Sequence, residues 1–288
     1  MRSFEEIYAD VPAEQREALR QFRADHPERT LDHDGTTWRY VVSGDDAAPP
    51  LLLLVGGLRE ADAAHANIAA LSDTFRVITP SYPALGTMNA LADGLSAILT
   101  HEGAVPAQVL AGSFGGMLAQ IFIRRHPALV AKVVLSTTAV FDAASVERYR
   151  QALAMVEPLP DDEVAAMAKQ MMFATMQPPP DKHAFYRAYL DELYSYRVDK
   201  AGIVSLYRAL LDFADHGAMA ERWAGDVLIL ESDDDATFDE SIRARVRGLY
   251  PGASHYTFHG AGHSPATTQR ELYFNVVKNF LTGGADNG

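Results

Sequence analysis

The sequence predicts an α/β fold in which a doubly wound, mostly parallel sheet carries an inserted block of helices. Short apolar segments alternate with helical segments along most of the chain, an order typical of parallel sheets. Residues 51–55 are continuously apolar, as expected for a strand that is buried on both faces. Between residues 141 and 224 the strand pattern stops, and only helical segments are predicted.

The predicted organisation has three parts. Residues 1–28 form an N-terminal helical arm, residues 29–140 and 225–284 form the core that carries the sheet, and residues 141–224 form a helical cap or lid. The arm contains a helix start at Val11-Pro12-Ala13-Glu14, with Leu19 and Phe22 on one face. A helical insertion just beyond the carboxyl end of a strand covers the edge where α/β proteins bind ligands, so we expect a lid. A second packing layer is the alternative.

The elements of the core follow from periodicity and from turn residues. A hairpin is expected around Asp34-Gly35. Helices are predicted over residues 61–71, 88–99, 117–125, 241–249 and 269–281. Parallel strands are predicted over residues 51–55, 75–79, 108–111, 131–135, 227–230 and 255–258, with Pro80 ending the second of these.

Composition excludes several classes of partner and cofactor. The formal net charge of −13 argues against a nucleic-acid partner and against an anionic membrane surface. No cysteine is present, and the ten histidines are scattered, so we expect no disulfide and no metal. No phosphate-binding loop is evident, and we expect no cofactor at all. The N-terminus lacks an apolar leader and no segment reaches 18 apolar residues, so a cytoplasmic location without a membrane span is expected.

Residues 108–120 carry the strongest chemical signal. Ser113 lies between a predicted strand and a predicted helix, with the small residues Ala111 and Gly115 two positions away on either side. This is the form of a nucleophile elbow, whose tight turn exposes a serine and leaves no room for bulk beside it. The following helix would direct its positive end towards the reaction centre. A glycine-rich turn without catalytic function shows the same pattern, so the rest of the chain must decide.

An acid and a histidine each follow a predicted strand, as Ser113 does. Asp235 comes after the strand at 227–230, and His263 comes after the strand at 255–258. Carboxyl ends of parallel strands meet at one edge of a sheet, so both side chains are expected near Ser113. Hydrolases of this architecture have the order serine, acid, histidine.

Other residues compete for these positions. His255 and His259 lie close to His263, and Asp142 is a further candidate acid because it also follows a strand. The run 233–235 is equally compatible with a solvated turn or a helix cap.

With these motifs the chain resembles the α/β-hydrolase superfamily over nearly its whole length. Gly262-His263-Ser264-Pro265 is similar to the Gly-His-x-Pro loop of that family, and Asp235 matches its acid. Gly56-Gly57-Leu58 lies where the family usually has His-Gly-x, so a glycine replaces that histidine. The resemblance implies a triad of Ser113, His263 and Asp235. It also implies that the backbone N–H groups of Leu58 and Phe114 form the oxyanion hole.

More narrowly, the chain is similar to maspardin and its prokaryotic relatives. The similarity lies in residues 75–78 with Tyr82-Pro83, in residues 111–120 and in residues 249–253. Maspardin has lost the histidine of the Gly-His-x-Pro loop and is regarded as an interaction protein, whereas this chain retains His263. A gapless match to maspardin selects Asp234 as the acid. The general family pattern selects Asp235, which we favour, with Asp234 in reserve.

These observations predict a serine hydrolase of the carboxylesterase type that forms an acyl-enzyme. Six of the nine methionines lie in the 141–224 segment, so the expected substrate is a small ester with an apolar portion. Arg59 and Tyr82-Pro83 are expected to border the pocket. The alternatives are a thioesterase or C–C bond hydrolase with the same triad, or an interaction module in which the triad is vestigial. The sequence gives no indication of the oligomeric state.

Overall fold

The computed structural model describes residues 2–216 and 223–283. Within these residues eight strands form one sheet in the order β1-β2-β4-β3-β5-β6-β7-β8. The antiparallel pairs are β1 with β2 and β2 with β4, and the other neighbours are parallel. The doubly wound, mostly parallel sheet predicted from sequence is confirmed. Its strands are β1 (Arg29–His33), β2 (Thr36–Ser43), β3 (Pro50–Leu54), β4 (Arg76–Ser81), β5 (Ala107–Gly112), β6 (Val130–Ser136), β7 (Asp226–Ser232) and β8 (Ser254–Phe258).

One predicted strand end is wrong. Strand β4 does not stop before Pro80 but continues through it to Ser81. The pairing of β4 with β3 ends at Ile78, and Pro80 lies opposite Tyr40 of β2. Because β3 no longer pairs with β4 at this point, a proline there interrupts no hydrogen bond to β3.

Helices cover both faces of the sheet and follow the predicted order. The segment predicted as one helix over residues 61–71 is a 3-10 turn, Ala61–Ala64, followed by an α-helix. Further 3-10 turns span Pro127–Leu129 and Pro180–Lys182. The α-helices are α1 (Phe4–Ile7), α2 (Ala13–Asp25), α3 (His65–Leu71), α4 (Met88–His101), α5 (Phe114–Arg125), α6 (Ala143–Val156), α7 (Asp161–Met176), α8 (His183–Glu192), α9 (Lys200–His216), α10 (Glu240–Leu249), α11 (Pro265–Thr268) and α12 (Arg270–Thr282).

Helices α6–α9 lie between β6 and β7 in the chain, in the segment for which the sequence predicts helices and no strand. Helix α8 runs into a π-helical turn at Leu193–Arg197, and α9 packs against α4 and α5 of the core. The predicted segment 141–224 includes residues 217–222, with Met219 among them, which lie outside the described residues. Residue 284, the predicted end of the core, also lies outside them.

The N-terminal helices pack onto α8. Helix α2 begins at Ala13 after Pro12 and buries Leu19 and Phe22, as expected. The Tyr8 hydroxyl donates to the Glu192 carboxylate over 2.6 Å, and the guanidinium of Arg23 donates two hydrogen bonds of 2.9 Å to the same carboxylate. The arm therefore joins the inserted helices through charged groups.

Two acids after β3 form the centre of a buried charge network, here called the Asp62 cluster (Arg23, Arg39, Glu60, Asp62 and Arg197). Asp62 pairs with Arg23 over 2.8 Å and with Arg197 over 2.6 Å, while Glu60 pairs with Arg39 over 2.7 Å and with Arg197 over 2.5 Å. Burial raises the pKa of Asp62, but the two arginines outweigh burial and leave that pKa below its ordinary value. Burial prevails at Glu60 and raises its pKa. The cluster links the arm, the core and the inserted helices.

Candidate active site

Ser113 lies in the turn between β5 and α5, in a conformation that few non-glycine residues adopt. Its φ is 51° and its ψ is −121°. Its N–H donates to the carbonyl oxygen of Ser136 over 3.0 Å, and its own carbonyl oxygen accepts from Thr138 Oγ1 over 2.9 Å. Strain of this kind persists only where the surroundings enforce it and is concentrated at functional sites.

The two glycines that follow Phe114 have close neighbours that leave no room for a side chain. A Cβ at Gly115 would lie 2.5 Å from the carbonyl oxygen of Leu54 and 2.6 Å from that of Val55. A Cβ at Gly116 would lie 2.6 Å from Oγ1 of Thr138. The sequence-based expectation that bulk at position 115 collides with neighbouring backbone agrees with this geometry.

The structure brings Ser113, His263 and Asp235 together in one hydrogen-bonded chain. Nε2 of His263 lies 3.1 Å from Oγ of Ser113, and Nδ1 lies 2.9 Å from Oδ2 of Asp235. His263 is 6% exposed and Asp235 is 5% exposed. Because the carboxylate can only accept, Nδ1 carries the proton and Nε2 is left free to accept from the Ser113 hydroxyl.

Further contacts fix the acid and the imidazole. Oδ1 of Asp235 accepts backbone N–H groups from Thr237 over 2.8 Å and from Phe238 over 3.2 Å. The Phe238 ring packs edge-on against the imidazole of His263, with centroids 5.2 Å apart. The carboxylate and the ring therefore have little freedom to leave the hydrogen-bonded geometry.

Asp234, the reserve acid, does not contact His263. Its Oδ1 accepts from the hydroxyl of Ser232 over 2.7 Å and from the N–H of Gly262 over 2.8 Å. These hydrogen bonds lower the pKa of Asp234. Its role in this geometry is to hold the backbone of the loop that carries His263.

The competing histidines and acid lie away from Ser113. His259 is highly exposed and pairs with Asp233 over 2.7 Å. His255 lies 3.4 Å from Glu231. Asp142 caps helix α6 by accepting the N–H of Ser145 over 2.8 Å.

Leu58 and Phe114, whose backbone N–H groups are expected from the sequence to form the oxyanion hole, both lie beside Ser113. Phe114 is the first residue of α5, so its N–H has no acceptor within the helix. Leu58 lies in a turn closed by the N–H of Arg59 on the carbonyl oxygen of Gly56, over 3.1 Å. Leu58, Phe114 and Ser113 all line one cavity. A Cβ at Gly56 would lie 3.4 Å from Cβ of Ser113, so the glycine that replaces the family histidine adjoins the serine.

Two cavities meet at Ser113. The first, of about 200 Å³, lies between the strand ends and the 263–267 loop. The second, of about 170 Å³, lies beneath α7 and α9 and is mainly apolar. Met172 and Thr175 of α7 line both cavities. The apolar wall of the second cavity includes Met117, Met171, Ile203, Leu206 and Leu210.

The sequence predicts that Arg59 borders the pocket but assigns it no function. In the structure Arg59 lines the second cavity. Tyr82 and Pro83 were expected there too, but they lie behind Arg59: both of their carbonyl oxygens accept from its guanidinium. The hydrogen-bond partners of Arg59 are distant in sequence. The one sequence feature that points to this residue is its position in a glycine-containing turn after a buried strand.

Among the described residues, no group of three or more histidine, aspartate or glutamate side chains is arranged to hold a metal ion. No helix in the described parts of the chain has the length and apolar character needed to cross a membrane.

Solved structures with this architecture include a hydrolase from Pseudomonas aeruginosa, an esterase from Thermogutta terrifontis and an enol-lactonase from Burkholderia xenovorans. The hydrolase has a TM-score of 0.76 at 19% identity, covering 90% of this chain and 99% of its own. The esterase has a TM-score of 0.71 at 19% identity, and the match covers 90% of this chain and 98% of the esterase. The enol-lactonase has a TM-score of 0.72 at 18% identity, and the match covers 88% of this chain and 100% of the enol-lactonase.

The fold is that of the α/β-hydrolases. No protein-family model and no curated protein matches the sequence. At these identities the likeness establishes the α/β-hydrolase architecture, and the chemistry has to be argued from the residues at the site.

Proposed function

We propose that this α/β-hydrolase-fold protein is a serine hydrolase that cleaves carboxylic esters. In this proposal Ser113 is the nucleophile, His263 is the general base and Asp235 orients the imidazole. The observation that carries the proposal is the buried hydrogen-bonded chain from Ser113 Oγ through His263 to Asp235, with distances of 3.1 Å and 2.9 Å. A serine, a base within hydrogen-bond reach and a group that orients the base are the signature of an activated nucleophile.

The chemistry follows from these positions. Ser113 Oγ attacks the ester carbonyl carbon while its proton passes to Nε2 of His263, and Asp235 stabilises the imidazolium. The N–H groups of Leu58 and Phe114 would hold the oxyanion, and losing one such donor typically raises the barrier by about 2.7–4 kcal/mol. His263 then returns the proton to the departing alcohol, which leaves an acyl group on Ser113. Water attacks that acyl-enzyme in the same way, with His263 again as the base.

The shape of the site favours a small ester with an apolar portion. The second cavity offers methionine and aliphatic side chains, which adapt to apolar groups. The names of two similar structures, an esterase and an enol-lactonase, also favour a carboxylic ester. Helices α6–α9 would act as the lid, because α7 and α9 supply much of the second cavity's wall.

The alternative is a maspardin-like interaction module with a vestigial triad. Gly56, in the place of the usual histidine, is the feature that favours it. The complete chain from Ser113 to Asp235 favours catalysis, because a protein without this chemistry has no need to bury and orient His263. Thioester or C–C cleavage would use the same residues, and a substrate panel distinguishes them.

The test is covalent labelling with a fluorophosphonate, followed by peptide mass mapping and assays with p-nitrophenyl, thioester and C–C substrates. We expect rapid labelling at Ser113, loss of labelling in Ser113→Ala and strong slowing in His263→Ala. Ser264→Ala is the matched control, since its hydroxyl contacts the carbonyl oxygen of Met176 and not the triad. A folded wild-type protein that neither reacts with the probe nor cleaves any ester would overturn the proposal.

A further inference from the structure

The turn that carries Leu58 depends on Arg59. The N–H of Arg59 closes this turn on the carbonyl oxygen of Gly56, and its carbonyl oxygen accepts from the N–H of Tyr82 over 2.8 Å. Arg59 has a φ of 65°, in the left-handed region that favours glycine. The turn that carries Leu58 is therefore closed by a residue held in an unfavourable backbone conformation.

The guanidinium of Arg59 joins this turn to two other parts of the molecule. It is buried, and it donates to the carbonyl oxygen of Gly202 and to Oγ of Ser205, both in α9, over 2.7 Å each. It also donates to the carbonyl oxygens of Tyr82 and Pro83. The side chain thus connects the proposed oxyanion turn to an inserted helix and to the end of β4.

All of these acceptors are neutral. No ion pair in the described part of the chain includes Arg59, and the neighbouring carboxylate of Glu60 is engaged by Arg39 and Arg197. Burial lowers the pKa of Arg59 to about 10, so the group still carries its proton at neutral pH. A buried cation without a carboxylate in contact with it is unfavourable, and groups of this kind are concentrated at functional sites.

The position of the Arg59 charge in the cavity suggests what the charge does. Arg59 lines the same cavity as Ser113, Leu58 and Phe114, and among the described residues lining that cavity it is the one with a charged side chain. Negative charge would develop in this cavity when the tetrahedral intermediate forms. In a site with little water, a fixed positive charge favours that anion more than the neutral ester.

We propose that Arg59 is a positioning residue of the oxyanion hole: it fixes the turn that presents the Leu58 N–H, and its unpaired positive charge stabilises the oxyanion. This inference rests on the proposed hydrolase function. It predicts that supplying a counter-ion to Arg59 impairs turnover even though the arginine and its turn remain in place.

The test places a carboxylate beside the guanidinium. Ser205→Asp gives Arg59 an anionic partner, and Ser205→Asn introduces a side chain of the same shape without charge. Relative to Ser205→Asn, we expect Ser205→Asp to lower kcat on a p-nitrophenyl ester about 10-fold or more, with little change in KM. A trifluoromethyl ketone, which forms an anionic tetrahedral adduct with serine, should bind more weakly in the same proportion.

A second pair of variants changes the arginine itself. Arg59→Lys keeps a positive charge and should retain more of kcat than the neutral Arg59→Met, with folding checked by circular dichroism. The Ser205 pair stays informative if Arg59→Met does not fold. Equal kcat and equal inhibitor affinity in Ser205→Asp and Ser205→Asn, with an active wild type, would overturn this inference alone. A wild type without esterase activity or labelling would overturn the proposed function, and this inference with it.

Discussion

Asp234 and Asp235 are adjacent in the chain, yet their carboxylates contact different parts of the loop that carries His263. Asp235 lies 2.9 Å from Nδ1 of His263, whereas Asp234 accepts the backbone N–H of Gly262 over 2.8 Å. One acid is placed to orient the imidazole, and the other holds the backbone that supports it.

This division predicts very different effects for two matched substitutions. Asp235→Asn should lower kcat by roughly 10³–10⁴-fold, because an amide no longer enforces the tautomer that leaves Nε2 free to accept a proton. Asp234→Asn retains a carbonyl oxygen for the Gly262 N–H, so kcat should stay within about 3-fold of wild type. Steady-state kinetics on a p-nitrophenyl ester distinguish the two. A loss in Asp234→Asn as large as that in Asp235→Asn would contradict the assignment.

Two glycine-to-alanine substitutions should change stability in opposite directions. Gly115→Ala places a Cβ 2.5 Å from the carbonyl oxygen of Leu54, and such overpacking costs about 1–3 kcal/mol of unfolding free energy. Gly248→Ala in α10 places its Cβ more than 4 Å from other atoms, and the gain in helix propensity is about 0.5–1 kcal/mol. Urea unfolding midpoints measure both changes. A neutral Gly115→Ala would show that the turn relaxes freely.

The Asp62 cluster makes a prediction about global stability. Removing the charge in Arg197→Met leaves Glu60 and Asp62 buried with fewer partners, which should reduce the unfolding free energy by about 3–5 kcal/mol. Arg150→Met is the control, because its pair with Glu147 lies on the surface and should contribute at most about 1 kcal/mol. Chemical unfolding provides the comparison. Equal effects of the two substitutions would show that the cluster is no more stabilising than a surface pair.

Met172 should influence substrate size. Its side chain lines both cavities at Ser113, so Met172→Ala should widen the space that a longer acyl chain can enter. We expect the ratio of kcat/KM for a hexanoate ester to that for an acetate ester to rise about 10-fold. Met155→Ala, at a methionine that is 54% exposed, should leave the ratio unchanged. An unchanged ratio in Met172→Ala would mean that substrates do not reach the second cavity.

The proximity of Ser113, Asp235 and His263 could be predicted because each follows a strand of a parallel sheet, and the carboxyl ends of such strands share one edge. Spacing within the chain does not decide between Asp234 and Asp235. A shift of one residue in a turn redirects the side chain completely, and local spacing contains no information on which carboxylate faces the histidine.

The role of Arg59 could not be predicted from sequence, because its acceptor Gly202 is 143 residues away. The same holds for the pairing of Asp62 with Arg197. Pro80 shows a different limit: a proline is expected to end its strand, but it is tolerated where the neighbouring strand has already stopped pairing.

The contact between Arg23 and Glu192 also bears on how the chain is made. These residues are separated by 169 positions, so the N-terminal helices emerge from the ribosome long before their partner helix has been synthesised. At typical elongation rates of about 5–20 residues per second, the interval is on the order of ten to thirty seconds. During that time Tyr8 and Arg23 lack the Glu192 carboxylate, whereas the contact of Arg23 with Asp62 can form much earlier, so the arm joins the core before it joins α8.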